Sequence, residues 1–229
     1  AVPPGRALSR TLDELIERRV AALVDYQDAA YAARYRGLVE RVRAAEATAA
    51  KGLSGLAEAV ARYYYKLLAY KDEYEVARLY TDGNFRNLLA AQFEGDYRLE
   101  FHLAPPVLAT RDPTSGHLVK RGYGPWMLRA FGLLARFKRL RGGVFDPFGY
   151  SAERRMERAL IVAYERQIDR VLARLTPANH ATAVEIASVP EHIRGYGHVK
   201  QRHVAEAERR ADALWLAFER GVTAAVAAE

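Results

Sequence analysis

The sequence predicts a mainly α fold, a bundle of long helices with a small two- or three-stranded antiparallel sheet around residues 97–123. Three observations carry this. Apolar side chains recur at three- and four-residue spacings along most of the 229 residues, as on the face a helix turns to a core. The period changes to strict alternation at Tyr97, Leu99, Phe101 and Leu103, with Arg98, Glu100 and His102 between them, which is the pattern of a half-buried strand. Gly and Pro gather in short clusters between these segments, where connections belong.

From Ser9 to about Ala47 the stripe runs through Leu12, Ile16, Leu23, Val24, Tyr31, Tyr35, Leu38 and Val42, predicting one helix. Lys51-Gly52 and Ser54-Gly55 interrupt it. A second helix is expected from about Leu56 to Tyr80, with Val60, Tyr64, Leu67, Leu68 and Leu79 inward, and Asp82-Gly83 ends it. A short helix follows, from Phe85 to Phe93. Pro105-Pro106 limits the strand, because proline cannot donate to a ladder. Asp112-Pro113-Thr114-Ser115-Gly116 marks a turn that could pair residues 107–111 with 117–123. Met127, Phe131, Leu134, Phe137 and Leu140 predict a helix over 126–141, stopped by Gly142-Gly143. Ser151 is placed to cap a helix reaching about Leu175. Thr176-Pro177 reads as N-cap and first-turn proline of a helix to about Ser188. A last helix is expected from about Val199 to Gly221. No repeat and no polar linker divides the chain, so residues 1–229 are expected to form one helical domain.

Half of the residues are hydrophobic and 28% are charged, a globular composition rather than a disordered one. No apolar run reaches the ~20 residues of a membrane-spanning helix. The opening Ala1-Val2-Pro3-Pro4-Gly5 has no basic and apolar leader pattern, and a start without Met leads us to expect a piece of a longer chain. Cysteine is absent, which excludes disulfides, thiolate nucleophiles and cysteine-held zinc or iron–sulfur clusters within this sequence. The net charge of +7 and pI of about 9.6 suit an acidic protein, a phosphate-bearing ligand or nucleic acid.

Dinucleotide, phosphate-loop, zincin, nucleophile-elbow and CxxC signatures are all missing. The densest positive feature is Arg129, Arg136, Lys138, Arg139 and Arg141, with no acidic residue between them. It reads either as a docking patch for phosphate or an acidic protein, or as a solvated helix face. Phe145, Asp146, Phe148 and Tyr150 form a compact aromatic loop that suits an interface, and packing explains it equally well. Asp72, Glu73 and Glu75 form the main acidic cluster, for which Lys71 and Arg78 offer surface ion pairs. The histidines at 102, 117, 180, 192, 198 and 203 lack metal-site spacing. Tyr63-Tyr64-Tyr65 lies in a helical run, so its rings point different ways and do not build a base-stacking platform.

Five ordered stretches carry a family resemblance: AYKDEYEVARLY (69–80), FEGDYRLEFHLAPP (93–106), GPWMLRAF (124–131), FDPFGY with ERRMER (145–150, 153–158) and IRGYGHVK (193–200). Together they resemble the C-terminal region of the fused indolepyruvate ferredoxin oxidoreductases, a branch of the 2-oxoacid:acceptor oxidoreductases, over roughly Leu23 to Phe218. The resemblance implies a cytoplasmic enzyme that oxidatively decarboxylates arylpyruvates to acyl-CoA with thiamine diphosphate, coenzyme A and [4Fe–4S] clusters, and that passes electrons to ferredoxin. Those parts belong to other domains of the family's polypeptide. Residues 81–84 (TDGN) start with the wrong residue for a thiamine-diphosphate motif, so no catalytic residue, cofactor ligand or metal ligand transfers onto this chain. What it implies here is an accessory domain whose partners are sibling domains, a second copy in a homo-oligomer, and ferredoxin. On this reading the Arg129–Arg141 patch would attract ferredoxin or coenzyme A phosphates; neither membrane nor nucleic acid is expected. Two alternatives stand beside it: a free-standing basic module for nucleic acid or an acidic protein, and an enzyme whose site no motif reveals.

Overall fold

The first long apolar stripe folds as two helices where the spacing predicted one. In the computed structural model, which describes residues 9–103, 119 and 121–221, the order is α1 (Leu12–Tyr26), α2 (Ala29–Ala49), α3 (Leu56–Leu68), α4 (Glu73–Thr81), α5 (Asn84–Gln92), β1 (Phe101–Leu103), β2 (Arg121–Tyr123), α6 (Met127–Arg136), α7 (Ala152–Leu172), α8 (His180–Ser188) and α9 (Gly197–Glu219). The mainly helical class with a small antiparallel sheet is as the sequence predicts.

The break after α1 is made by Asp28. Its backbone is extended and its carboxylate accepts the Tyr31 amide at 2.8 Å, which starts α2 afresh. Ion pairs Arg36–Glu17 and Arg43–Asp13 join α1 and α2 in opposite chain order, so the two form an antiparallel hairpin. Both stripes then face one core, and the period reads straight through the turn. The predicted 56–80 helix is likewise two, α3 and α4, with Asp72 as the N-cap of α4.

The α3–α4 joint coincides with a boundary between two compact units: Ala1–Tyr70 with Met156–Glu229, and Lys71–Arg155. In the first unit α3 packs against α2 and α8, and α8 against α9. Its core is aromatic as well as aliphatic. Tyr35, Tyr64 and Tyr164 stack with ring centroids 6.0 and 5.8 Å apart. Each hydroxyl is satisfied: Tyr35 donates to the Ala61 carbonyl, Tyr164 to that of Ala187, and Tyr64 to Glu165. Burial pushes all three phenols above their ordinary range. Burying such rings with paired hydroxyls supplies apolar area without an orphaned donor. Val24, predicted inward, is instead exposed.

Glu46 holds the start of α3, where Gly55 offers no side-chain cap. Its carboxylate is buried and accepts the amides of Leu56 (2.8 Å) and Ala57 (3.0 Å), and it meets His180 Nε2 at 2.7 Å. Thr176-Pro177 does not open α8. The helix begins at His180, and Asn179 bridges the turn before it by accepting the Thr176 amide and donating to the Arg174 carbonyl.

In the second unit α4 packs on α6 around Ala77, Phe101, Met127 and Phe131. Tyr80 stacks on Phe131 and meets Phe101 edge-on, each at 5.3 Å. β1 and β2 pair antiparallel, Phe101 opposite Tyr123 and Leu103 opposite Arg121. The strand expected over 97–103 is thus only its last three residues, and the segment 107–111 lies outside the described residues. The predicted 126–141 helix is α only to Arg136, followed by a 3-10 turn at Lys138–Leu140. Ser151 accepts the Arg154 amide and caps α7 as expected.

Candidate docking surface on the second unit

The surface of the second unit is set by a buried polar anchor. Arg141 and Asp72 are both almost fully buried and form a two-pronged ion pair, with Arg141 Nη2 2.9 Å from Asp72 Oδ1. The same Asp72 carboxylate caps α4 through the Glu75 amide at 2.8 Å. The guanidinium lies 5.5 Å from the centre of the Tyr74 ring, and the Tyr74 hydroxyl donates to Asp146 at 3.1 Å. Burial, then the Asp146 charge, pushes the Tyr74 phenol up. Asp146 in turn accepts the amides of Gly142 (2.8 Å) and Phe148 (3.0 Å), clamping the loop on both sides of itself. Gly142 has φ +72°, which lets the chain reverse straight after Arg141. Gly149 is demanded by packing, since a Cβ there would lie 2.8 Å from Asp146 Oδ2.

This anchor splits both groups that the sequence put together. Arg141 leaves the basic patch for the interior, because it is the counter-ion of a buried carboxylate. Asp72 therefore pairs with Arg141, and Glu75 pairs with Arg78 and Glu73 with Arg154. Of the patch, Arg129, Arg136 and Arg139 remain exposed and make no ion pair or hydrogen bond among the described residues, while Lys138 is half-buried. In the loop, Asp146 and Phe148 turn inward, Phe148 meeting Tyr74 edge-on at 5.4 Å. Phe145, 79% exposed, and Tyr150 turn outward, and the Tyr150 hydroxyl closes the loop on the Val144 carbonyl.

The part that sequence reasoning missed is the outer side of α6. Met127 and Phe131 are buried against α4, but Trp126 and Leu133 are each 59% exposed and Phe137 is 48% exposed. At 100° per residue, Trp126, Arg129, Leu133, Arg136 and Phe137 occupy an arc of about 100°, turned well away from Met127, Phe131 and Leu134. The helix thus carries two apolar stripes, of which one is used. Phe137, taken from the spacing as inward, belongs to the outer stripe. The signal available in the sequence was this second register, together with a stretch from 113 to 145 that holds seven Lys or Arg and no Asp or Glu.

An open cleft of about 370 Å³ lies along the strand pair, lined by Arg98, Leu99, Glu100, Gly122, Tyr123 and Gly124. Among the described residues no group of three or more His, Asp or Glu is arranged to hold a metal ion, and no helix is long and apolar enough to cross a membrane. His203 meets the Arg194 carbonyl, and His102 lies beside Glu100.

A family model matches residues 12–213, described as a family of unknown function, DUF6537. The chain belongs to this family. The DUF6537 span runs from the start of α1 into α9 and takes in the Asp72–Arg141 anchor, the outer stripe of α6 and the 142–150 loop. No curated protein and no solved structure matches the chain.

Proposed function

We propose that the chain is an accessory docking domain of a thiamine-diphosphate-dependent indolepyruvate:ferredoxin oxidoreductase, a cytoplasmic enzyme that converts arylpyruvates to acyl-CoA. In this reading thiamine diphosphate, the [4Fe–4S] clusters and coenzyme A are held by other domains, and this chain supplies packing among domains and subunits and a basic face toward ferredoxin. The observation that carries the docking role is the outer stripe of α6, with Trp126, Leu133 and Phe137 exposed beside the exposed Arg129 and Arg136. Contiguous exposed apolar side chains rimmed by charge mark interaction sites. The enzyme assignment rests on the family resemblance, and four of its five stretches fall within or across the edge of Lys71–Arg155.

The test is immunoprecipitation of the native protein from its source with an antibody to this chain. The expected product is a polypeptide several times larger than 25.7 kDa, or a tight complex of that size, that reduces ferredoxin with indolepyruvate and coenzyme A. A free 25.7 kDa product without that activity would overturn the assignment and favour the stand-alone module for an acidic partner, which the same arginines support.

A further inference from the structure

We infer that the outer stripe of α6 seats a single helix of a protein partner, one with an apolar seam and a row of Asp or Glu along one edge. This deepens the docking reading above and rests on it. Trp126, Leu133 and Phe137 stand at i, i+7 and i+11, so they form one row about 17 Å long. That is three turns of helix, a length that a partner helix of about a dozen residues would cover. Arg129 and Arg136 are seven apart and lie together on one edge of that row, roughly 70° around the helix from the apolar side chains.

A row of apolar knobs with a row of like charge beside it is the arrangement by which paired helices choose register and partner. Here the charge on the helix is wholly positive, and residues 113–145 hold no Asp or Glu. The complement is a helix carrying carboxylates seven residues apart beside a Leu- or Ile-type seam. Nucleic acid would use the arginines but leave Leu133 and Phe137 in water. A helix without acidic residues would cover the apolar row and place its neutral edge against two guanidinium groups.

Trp126 makes the seat observable. The chain has two tryptophans, and the second, Trp215, lies in the first unit under Arg170 at 3.9 Å. In the full chain carrying Trp215→Phe, emission therefore reports the stripe. Two synthetic 18-residue helical peptides serve as probes, with the same Leu seam and either Glu or Lys along the flank. The expected result is a saturable blue shift with the Glu peptide, weakened by salt, and binding roughly tenfold weaker for the Lys peptide. Arg129→Glu with Arg136→Glu should invert that preference, and Leu133→Asp should abolish binding while circular dichroism stays unchanged.

Equal binding of both peptides would reduce the stripe to indiscriminate apolar contact and overturn the proposal. So would equally tight binding of polyglutamate or of a single-stranded oligonucleotide, because charge alone would then suffice. A chain that dimerises by itself and becomes monomeric with Leu133→Asp would assign the stripe to a second copy instead. Failure here alongside oxidoreductase activity in the immunoprecipitate would remove only the helix seat. Peptide binding by a free 25.7 kDa product would remove only the oxidoreductase reading.

Discussion

The two units differ most in the size of their apolar cores. Among the described residues, the first gathers 32 buried residues into one apolar and aromatic cluster, whereas the second has four in its cluster. Both units also bury charge, Glu46, Glu157 and His180 in the first and Asp72, Arg141 and Asp146 around Tyr74 in the second. The surfaces differ in the opposite sense. Of the sixteen exposed large apolar side chains among the described residues, eleven lie within Lys71–Arg155. A small apolar core is hard to stabilise by area alone, so in the second unit the two-pronged Asp72–Arg141 pair carries a larger share of the geometry. The apolar side chains that such a unit does not bury are then free to meet something else.

That contrast can be broken at either end. The largest effect is expected from Arg141→Leu, which leaves the Asp72 carboxylate buried without its counter-ion and should cost about 3–5 kcal/mol. Urea unfolding should shift for Trp126 emission and leave the Trp215 transition in place; a common shift would mean that the units do not differ in this way. Tyr64→Ala should do the reverse, removing about 3–5 kcal/mol through the Trp215 signal, because it empties the centre of the tyrosine stack. Gly149→Ala should cost about 1–3 kcal/mol in the second unit, since the new Cβ must displace the Asp146 carboxylate that clamps the loop.

Acid sharpens the comparison on the first unit. Burial pushes the Glu165 carboxyl up, but the Arg34 guanidinium and the Tyr64 hydroxyl outweigh it and hold the group below its ordinary value of 4.5. A carboxyl with a lowered folded-state pKa contributes stability that is present above the unfolded value and lost as pH falls through the folded one. Stability of the first unit should therefore fall off below about pH 4.5, and Glu165→Gln should flatten that limb of the thermal-denaturation profile. The smallest effect is expected from Phe145→Ser. The ring is 79% exposed, so stability should stay within about 0.5 kcal/mol, and a larger loss would show that the loop is packing rather than presenting this side chain.

The class of fold was legible because most of the helical stripes keep their period, and the short alternating run at 97–103 is where it fails. Joints were harder. Asp28 and Asp72 sit inside unbroken helical spacing, and what marks them is local: an aspartate followed three residues later by the amide it caps. Thr176-Pro177 misled because Asn179, three residues on, competes for the same turn and bonds both sides of it. The anchor of the candidate site was out of reach, since Asp72 and Arg141 are 69 residues apart and nothing local separates Arg141 from Arg139. The outer stripe of α6 was within reach. Its apolar residues are all visible in the sequence, but a helix with two apolar registers does not say which one the core takes.

The most direct test compares two leucines of equal exposure, Leu133 on α6 and Leu216 on α9, each 59% accessible. A photo-crosslinking amino acid placed at either position in the native protein, in its own cells, reports what stands against that surface. The account predicts that position 133 crosslinks in high yield to one peptide, mapped by mass spectrometry to a helix with an acidic flank, and that position 216 does not. Equal yields from both positions, or a position 133 that captures nothing, would contradict the claim that the second unit carries the docking surface.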